Sequence, residues 1–153
     1  MRTVRFTWVL AVGVALGVAP TGTACRSKAQ DGQGDQAAPT ERAEVPVPTI
    51  SIDELERLLA AGTGQAVDAN GDPTRKKLGV IPGAVLLSDS ETFLPSELPA
   101  DKAKPLVFYC ANTHCGASHE AAAKALTAGY TNVKVLPDGI AGWVKAGKQT
   151  TQL

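Results

Sequence analysis

The sequence is short of aromatic residues and carries no surplus of either charge. Aromatic residues make up 5% of the chain and there is a single methionine, so a core must be built mainly from Ala, Val, Leu and Ile. Fifteen Lys and Arg residues balance fifteen Asp and Glu residues, and the basic ones form no block or helix stripe. We therefore expect no nucleic-acid partner, because such binding requires a concentrated positive surface.

The sequence also lacks an apolar run long enough to cross a bilayer comfortably, which takes about 20 residues. Its longest run, residues 8–19, follows Arg2 and Arg5 and precedes a cluster of small residues. This order is typical of a secretory signal peptide, which we predict for residues 1–24.

Thr23-Ala24-Cys25 is similar to the end of a bacterial lipobox, in which the cysteine is lipidated, although Gly22 stands where that motif usually has an aliphatic residue. We predict a membrane anchor at Cys25, with the protein on the periplasmic face of a bacterial membrane. Cleavage after Ala24 without lipidation, giving a soluble periplasmic protein, is the alternative.

The segment after Cys25 has the composition of a tether. Residues 26–48 are rich in Gln, Gly, Asp, Ala and Pro and show no apolar periodicity. Such a segment buries too little apolar surface to offset the entropy of ordering. We therefore assign residues 25–48 to the lipid-attachment cysteine and a disordered tether, and residues 49–153 to one domain.

Strands alternate with helices in the predicted domain. A capping box, Ser51 with Glu54, opens the first helix. A continuous apolar run at residues 106–109 is typical of a buried parallel strand. Further strands are predicted at residues 66–69, 84–87 and 133–136, and further helices at 116–128 and 139–146. This alternation indicates an α/β domain with a mostly parallel central sheet flanked by helices.

Cys110 is the candidate nucleophile, because it follows directly after a buried strand. The carboxyl ends of parallel strands are where open α/β sheets bind ligands. The loop after it leads into a helix, so its backbone N–H groups are predicted to form an anion cradle and to lower the pKa of Cys110. The cradle residues are Ala111, Asn112, Thr113, His114, Cys115 and Gly116.

From residue 67 to 147 the sequence resembles the single-domain rhodaneses. Val67-Asp68 is similar to the family's first core strand, and Gly79-Val80-Ile81-Pro82-Gly83-Ala84 to its Gly-His-Ile-Pro-Gly-Ala motif. Tyr109-Cys110, the alanine-rich helix, and the stretches 128–133 and 139–143 resemble its active loop and closing segment.

The resemblance implies a sulfurtransferase. Rhodaneses take a sulfane sulfur from a donor such as thiosulfate onto the loop cysteine as a persulfide, and pass it to cyanide or a thiol. In this sequence Cys110 takes that role. We expect a monomer with no cofactor and no catalytic metal.

The loop departs from the family pattern in two places. Thr113 stands where the family has Gly, and Cys115 stands where it has the closing Arg. An anionic sulfur donor would then find no guanidinium group, whose N–H groups bind oxyanions in a fixed geometry.

Other hypotheses remain open for these residues. Cys115 is either a thiol that resolves an oxidised or persulfidated Cys110 into a disulfide, or a residue that simply packs at the helix start. A catalytically weak module that acts as a dithiol redox switch or binds a partner is therefore an alternative. A third hypothesis is a metal site formed by the two cysteines with His114 and His119, whose imidazoles and thiolates suit zinc or copper(I).

Three further features have structural interpretations. Asp68 is predicted to cap a turn at its strand end, and Trp143 to lie in the core. Residues 75–78 are assigned no regular structure. The basic run 75–77 within them is expected to be solvated, or alternatively to steer an anionic donor.

Overall fold

The computed structural model describes residues 46–153. The predicted signal peptide, Cys25 and most of the predicted tether lie outside the described residues. Four helices and four strands alternate along the described chain, with a short 3₁₀ helix at Pro95–Glu97. The helices are α1 Ile52–Ala60, α2 Asp72–Leu78, α3 Ala117–Thr127 and α4 Gly139–Lys145, and the strands are β1 Gln65–Asp68, β2 Val85–Leu86, β3 Leu106–Tyr109 and β4 Val133–Leu136.

The strands form one parallel sheet in the order β2-β1-β3-β4. The α/β architecture with a parallel central sheet flanked by helices is therefore confirmed. β3 lies between β1 and β4, and all four of its residues are buried. The described residues contain no helix that is both long and apolar enough to cross a membrane.

Alternate residues of the strands face two separate apolar clusters, as the period of two in a strand requires. On one face Val67 and Phe108 pack with the alanines of α3, three of which are fully buried: Ala121, Ala122 and Ala125. Because alanine has a small side chain, the sheet-facing surface of α3 takes up little room. The other face packs against α1 and α4 and includes Leu55 and Trp143.

The start of the domain pairs with the edge of the sheet. The Val135 amide donates to the carbonyl of Pro48 (2.9 Å), and the Ile50 amide donates to the carbonyl of Val135 (2.9 Å). Ile50 is buried in the cluster beside α1. Pro48, the last residue of the predicted tether, therefore already contacts the sheet.

The prediction that residues 75–78 lack regular structure was wrong, since they belong to α2. Pro73 is tolerated in the first turn of that helix, where its missing amide N–H has no helical partner to lose. Gly79 ends the helix with a φ of 73°. The helix begins at the Asp72-Pro73 pair.

Arg75 is also not part of a solvated run. It is 7% exposed, whereas Lys76 and Lys77 are exposed. The Arg75 guanidinium donates to the carbonyls of Asp68 (3.1 Å) and Leu87 (2.8 Å), which belong to or directly follow neighbouring strands. These hydrogen bonds hold the side chain inside the protein. Arg75 therefore cannot steer an anionic sulfur donor from the surface.

Candidate active site

Cys110 lies where the sequence predicts it, one residue beyond the carboxyl end of β3. It is 2% exposed. The following loop occupies residues 111–116, and α3 begins at Ala117 with Gly116 as its N-cap residue. Cys110 is thus held between the central strand of the sheet and the first turn of a helix.

Two residues contact the sulfur of Cys110. Its thiol donates a hydrogen bond to the carbonyl oxygen of Cys115, with a distance of 3.0 Å between the sulfur and that oxygen. The hydroxyl oxygen of Ser118 lies 3.2 Å from the same sulfur, and Ser118 is itself 2% exposed. Ser118 therefore offers the sulfur a hydroxyl from within the protein, while Cys115 offers it an acceptor.

The environment of Cys110 raises the pKa of its thiol. Burial is the largest cause, because it penalises the charged thiolate, and the neighbouring Cys115 side chain acts in the same direction. The hydroxyl and the backbone N–H of Ser118 oppose this shift, since both stabilise the thiolate. The predicted lowering of the pKa of Cys110 was wrong, because burial of the sulfur outweighs the stabilisation that Ser118 gives the thiolate.

Asn112 folds the loop back toward the helix. Its side-chain oxygen accepts from the backbone amide of His114 (3.0 Å), and its backbone carbonyl accepts from the amide of Cys115 (3.1 Å). These two amides are thus occupied within the loop. The anion cradle formed by residues 111–116 stays a prediction.

The loop residues differ in their access to solvent. Asn112, Thr113, His114 and Gly116 are exposed, whereas Ala111 and Cys115 are half-buried. The thiols of Cys110 and Cys115 are both free. His119 is exposed in the first turn of α3. Within residues 46–153, no three His, Cys, Asp or Glu side chains are grouped so that they could hold a metal ion.

The N-terminus of α4 fixes the backbone of the loop. The amide of Ile140 donates to the carbonyl of Cys110 (2.9 Å), and the amide of Ala141 donates to that of Ala111 (3.0 Å). Gly139 has a φ of 60°, and a Cβ atom placed there would lie 2.5 Å from the carbonyl oxygen of Cys110. Only glycine therefore fits this close approach between α4 and the loop.

A buried polar network lies at the carboxyl ends of β1 and β3. Asp68 accepts from the amide of Asn70 (2.6 Å), as its predicted turn-capping role requires, and also from the hydroxyl of Tyr109 (2.7 Å). The Arg75 Nε atom lies 3.4 Å from the Asp68 carboxylate, as an ion pair without hydrogen-bond geometry. Burial and the adjacent Asp68 charge raise the pKa of Tyr109 well above its usual range, so Tyr109 stays a neutral donor.

Sequence reasoning missed Ser118, Arg75 and Asn70. Ser118 lies in the first turn of α3. Serine is common near the start of helices because it caps them, so a serine at this position does not by itself indicate a contact with Cys110. Asn70 is 7% exposed, and its side-chain Nδ2 atom has no hydrogen-bond partner among residues 46–153. It follows β1 by two positions, which places it at the same edge of the sheet as Cys110.

Comparison with solved structures gives related folds at low sequence identity. A human single-domain sulfurtransferase is 24% identical with a TM-score of 0.52, and the match covers 65% of this chain and 97% of that one. A rhodanese-like domain from Anabaena sp. is 22% identical with a TM-score of 0.58, covering 71% of this chain and 81% of that one.

A thiosulfate sulfurtransferase from Pseudomonas aeruginosa is 25% identical with a TM-score of 0.58, and the match covers 69% of this chain but only 20% of that protein. No curated protein sequence matches the chain. The family model of the rhodanese-like domain matches residues 51–146, which include every described strand and helix. The chain therefore belongs to the rhodanese-like domain family.

Proposed function

We propose that this protein is a sulfurtransferase that carries a sulfane sulfur as a persulfide on Cys110. The observation that supports this most directly is the position of the Cys110 sulfur, which lies beyond the central strand and 3.2 Å from the hydroxyl of Ser118. Two structural relatives bear the name sulfurtransferase, which agrees with this chemistry.

In the proposed first half-reaction, the Cys110 thiolate attacks the outer sulfur of thiosulfate. A sulfur–sulfur bond forms at Cys110, the sulfur–sulfur bond of thiosulfate breaks, and sulfite leaves with the electron pair. In the second, a thiol or cyanide takes the outer sulfur and the Cys110 thiolate is released. No redox cofactor is needed, because in each step one bond to the transferred sulfur forms as another breaks, with no electrons supplied or removed from outside.

The hydroxyl of Ser118 is suited to donate a hydrogen bond to either anionic form of Cys110, the thiolate or the persulfide. A hydrogen bond from a neutral donor to an anion is stronger than one between neutral groups. The hydroxyl can turn its proton toward the sulfur when Cys110 loses its own proton to base. At the same time the Cys115 carbonyl loses its donor, which favours a rearrangement of the exposed loop as the sulfur becomes charged.

Incubation of the purified protein with thiosulfate tests this proposal. After a short incubation with thiosulfate in cyanide-free buffer, we expect the wild-type protein to release sulfite and to gain the mass of one sulfur atom. Cys110→Ser should show neither result. Added cyanide should then remove the sulfur as thiocyanate. A Cys110→Ser variant that still releases sulfite, or a wild-type protein that never does, would refute the proposal.

We further propose that the domain is exported and held at a membrane by a lipid on Cys25. The basic and apolar start of the sequence and the Thr23-Ala24-Cys25 triplet support this. A lipid label should be incorporated into the wild-type protein and not into Cys25→Ser, and the variant should leave the membrane fraction. Equal labelling of both proteins would refute the anchor.

A further inference from the structure

The two thiols of the site differ in how solvent reaches them. Cys110 is 2% exposed and its sulfur is covered by Cys115 and Ser118, whereas Cys115 is half-buried. Cys115 is therefore the more accessible of the two residues. Cys115 also stands where the related family has an arginine, so the chain has a second thiol where an anion-binding group is usual.

The loop brings residue 115 back onto the sulfur of Cys110. The hydrogen bond from the Cys115 amide to the Asn112 carbonyl (3.1 Å) reverses the chain, and the Cys115 carbonyl then lies 3.0 Å from the Cys110 sulfur. The intervening Thr113 and His114 are exposed, so the loop can adjust without disturbing the core. Both thiols are free, so each is available for reaction.

We infer that Cys115 resolves the Cys110 persulfide into an internal disulfide and releases hydrosulfide. This inference rests on the proposed persulfide at Cys110. The Cys115 thiolate attacks the Cys110 sulfur, a bond forms between the two cysteine sulfurs, and the bond to the outer sulfur breaks. Hydrosulfide leaves with the electron pair, so the outer sulfur is reduced and Cys115 is oxidised, while Cys110 exchanges one sulfur–sulfur bond for another.

An external dithiol must then reduce the disulfide to restore both thiols. Over a full cycle, one thiosulfate and one dithiol yield sulfite, hydrosulfide and the oxidised dithiol. The half-buried position of Cys115 gives such a reductant a sulfur to attack. In this route the dithiol supplies the two electrons that reduce the sulfane sulfur, and the product is free sulfide.

The choice between the two sulfurs of the persulfide follows from the leaving groups. Attack on the outer sulfur would expel the Cys110 thiolate, whereas attack on the inner sulfur expels hydrosulfide. A thiol with a lower pKa leaves faster. Burial raises the pKa of Cys110 and so makes it a poor leaving group, which favours expulsion of hydrosulfide.

The test follows the fate of the sulfur that is loaded onto the full-length protein when no acceptor is added. Wild type, Cys110→Ser, Cys115→Ser and Cys115→Ala are treated with thiosulfate and, separately, with inorganic polysulfide, which delivers sulfane sulfur without the proposed transfer from thiosulfate. Sulfite, hydrosulfide and the masses of the Cys110 and Cys115 peptides are measured over time. Cys25→Ser is the matched control, because it removes a cysteine outside the domain.

We expect the wild type and Cys25→Ser to release hydrosulfide and to lose two hydrogen atoms as a Cys110–Cys115 disulfide. Both Cys115 variants should keep the added sulfur on Cys110, with a persulfide lifetime at least about tenfold longer. A wild-type persulfide as long-lived as that of Cys115→Ser would overturn the inference and leave the sulfurtransferase proposal standing.

Two other outcomes also decide the matter. Extra sulfur found on Cys115 of the wild type, without a disulfide, would overturn the inference by showing transfer from one thiol to the other. No persulfide on Cys110 with either donor, together with no sulfite from thiosulfate, would overturn both the inference and the proposed function.

Discussion

The chemistry of Cys110 is set by two opposing contacts at the residue scale. Burial and the nearby Cys115 side chain favour the neutral thiol, while Ser118 favours the thiolate. Since the thiolate is the reactive form of a cysteine, the balance between these contacts controls how fast Cys110 reacts. The raised pKa of Cys110 means that its environment favours the thiol overall.

The rate of Cys110 modification should therefore depend on pH. A raised pKa leaves little thiolate at neutral pH, so alkylation by iodoacetamide should accelerate about tenfold per pH unit, as expected for any thiol below its pKa. The increase should continue above the pKa of an ordinary cysteine. Mass spectrometry of the Cys110 peptide measures it, and a rate that levels off near pH 7 would contradict the prediction.

Removing the Ser118 hydroxyl should shift the pH dependence of Cys110 alkylation further toward high pH. A hydrogen bond to a charged group contributes roughly 1.5–3 kcal/mol, and about 1.4 kcal/mol corresponds to one pKa unit. We expect Ser118→Ala to shift the alkylation profile about one pH unit upward, while Ser118→Thr, which retains the hydroxyl, shifts it little. Superimposable profiles for Ser118→Ala and wild type would show that the hydroxyl does not act on the thiolate.

Arg75 should be important for stability. Its removal leaves the Asp68 carboxylate, which is fully buried, without its cation, and takes the guanidinium donor from the carbonyls of Asp68 and Leu87. Breaking a buried ion pair on one side costs about 3–5 kcal/mol. Urea denaturation of Arg75→Ala should show a loss of this order, against less than about 0.5 kcal/mol for the exposed neighbour in Lys76→Ala.

At the scale of elements, the loop is held by helices on two sides. α3 supplies Ser118 to the sulfur, and the first turn of α4 binds the carbonyls of Cys110 and Ala111. The loop's position therefore depends on a helix that begins nearly thirty residues later in the sequence. This dependence makes Gly139 a residue that controls site geometry without touching the sulfur.

Gly139→Ala should displace the loop and slow sulfur transfer. Its new Cβ atom would collide with the Cys110 carbonyl oxygen, so α4 or the loop must move. Gly147→Ala is the matched control, since Gly147 has a φ of 73° and open space around it, so it carries only the strain of about 1–2 kcal/mol for a left-handed residue. We expect sulfite release to fall more than about tenfold in Gly139→Ala and little in Gly147→Ala, at temperatures where both are folded.

At the scale of the whole molecule, most of the regular strands and helices could be predicted from the sequence, whereas the buried polar contacts between them could not. The run 106–109 predicted β3 and the alanine-rich segment predicted α3, because periodicity reports which side chains face the core. Helix α2 escaped prediction because it holds too few apolar residues to show a helical period. The burial of Arg75 escaped prediction because it depends on carbonyls supplied by separate strands. Cys110 was identifiable from its place after a strand, but the direction of its pKa shift was not, because that depends on how deeply the folded chain buries the sulfur.

The segment before α1 should be part of the folded unit, although its composition predicts a tether up to residue 48. Pro48 and Ile50 bond to both sides of Val135 on the outer edge of β4, and Ile50 adds a buried side chain. A chain that begins at residue 52 would lose that burial, worth about 1.5–3 kcal/mol, and would expose the edge of β4. We expect it to unfold at lower urea concentration and to aggregate more readily than a chain that begins at residue 46. Equal unfolding midpoints for the two would mean that the segment contributes nothing to the domain, and that the edge of β4 is stable by itself.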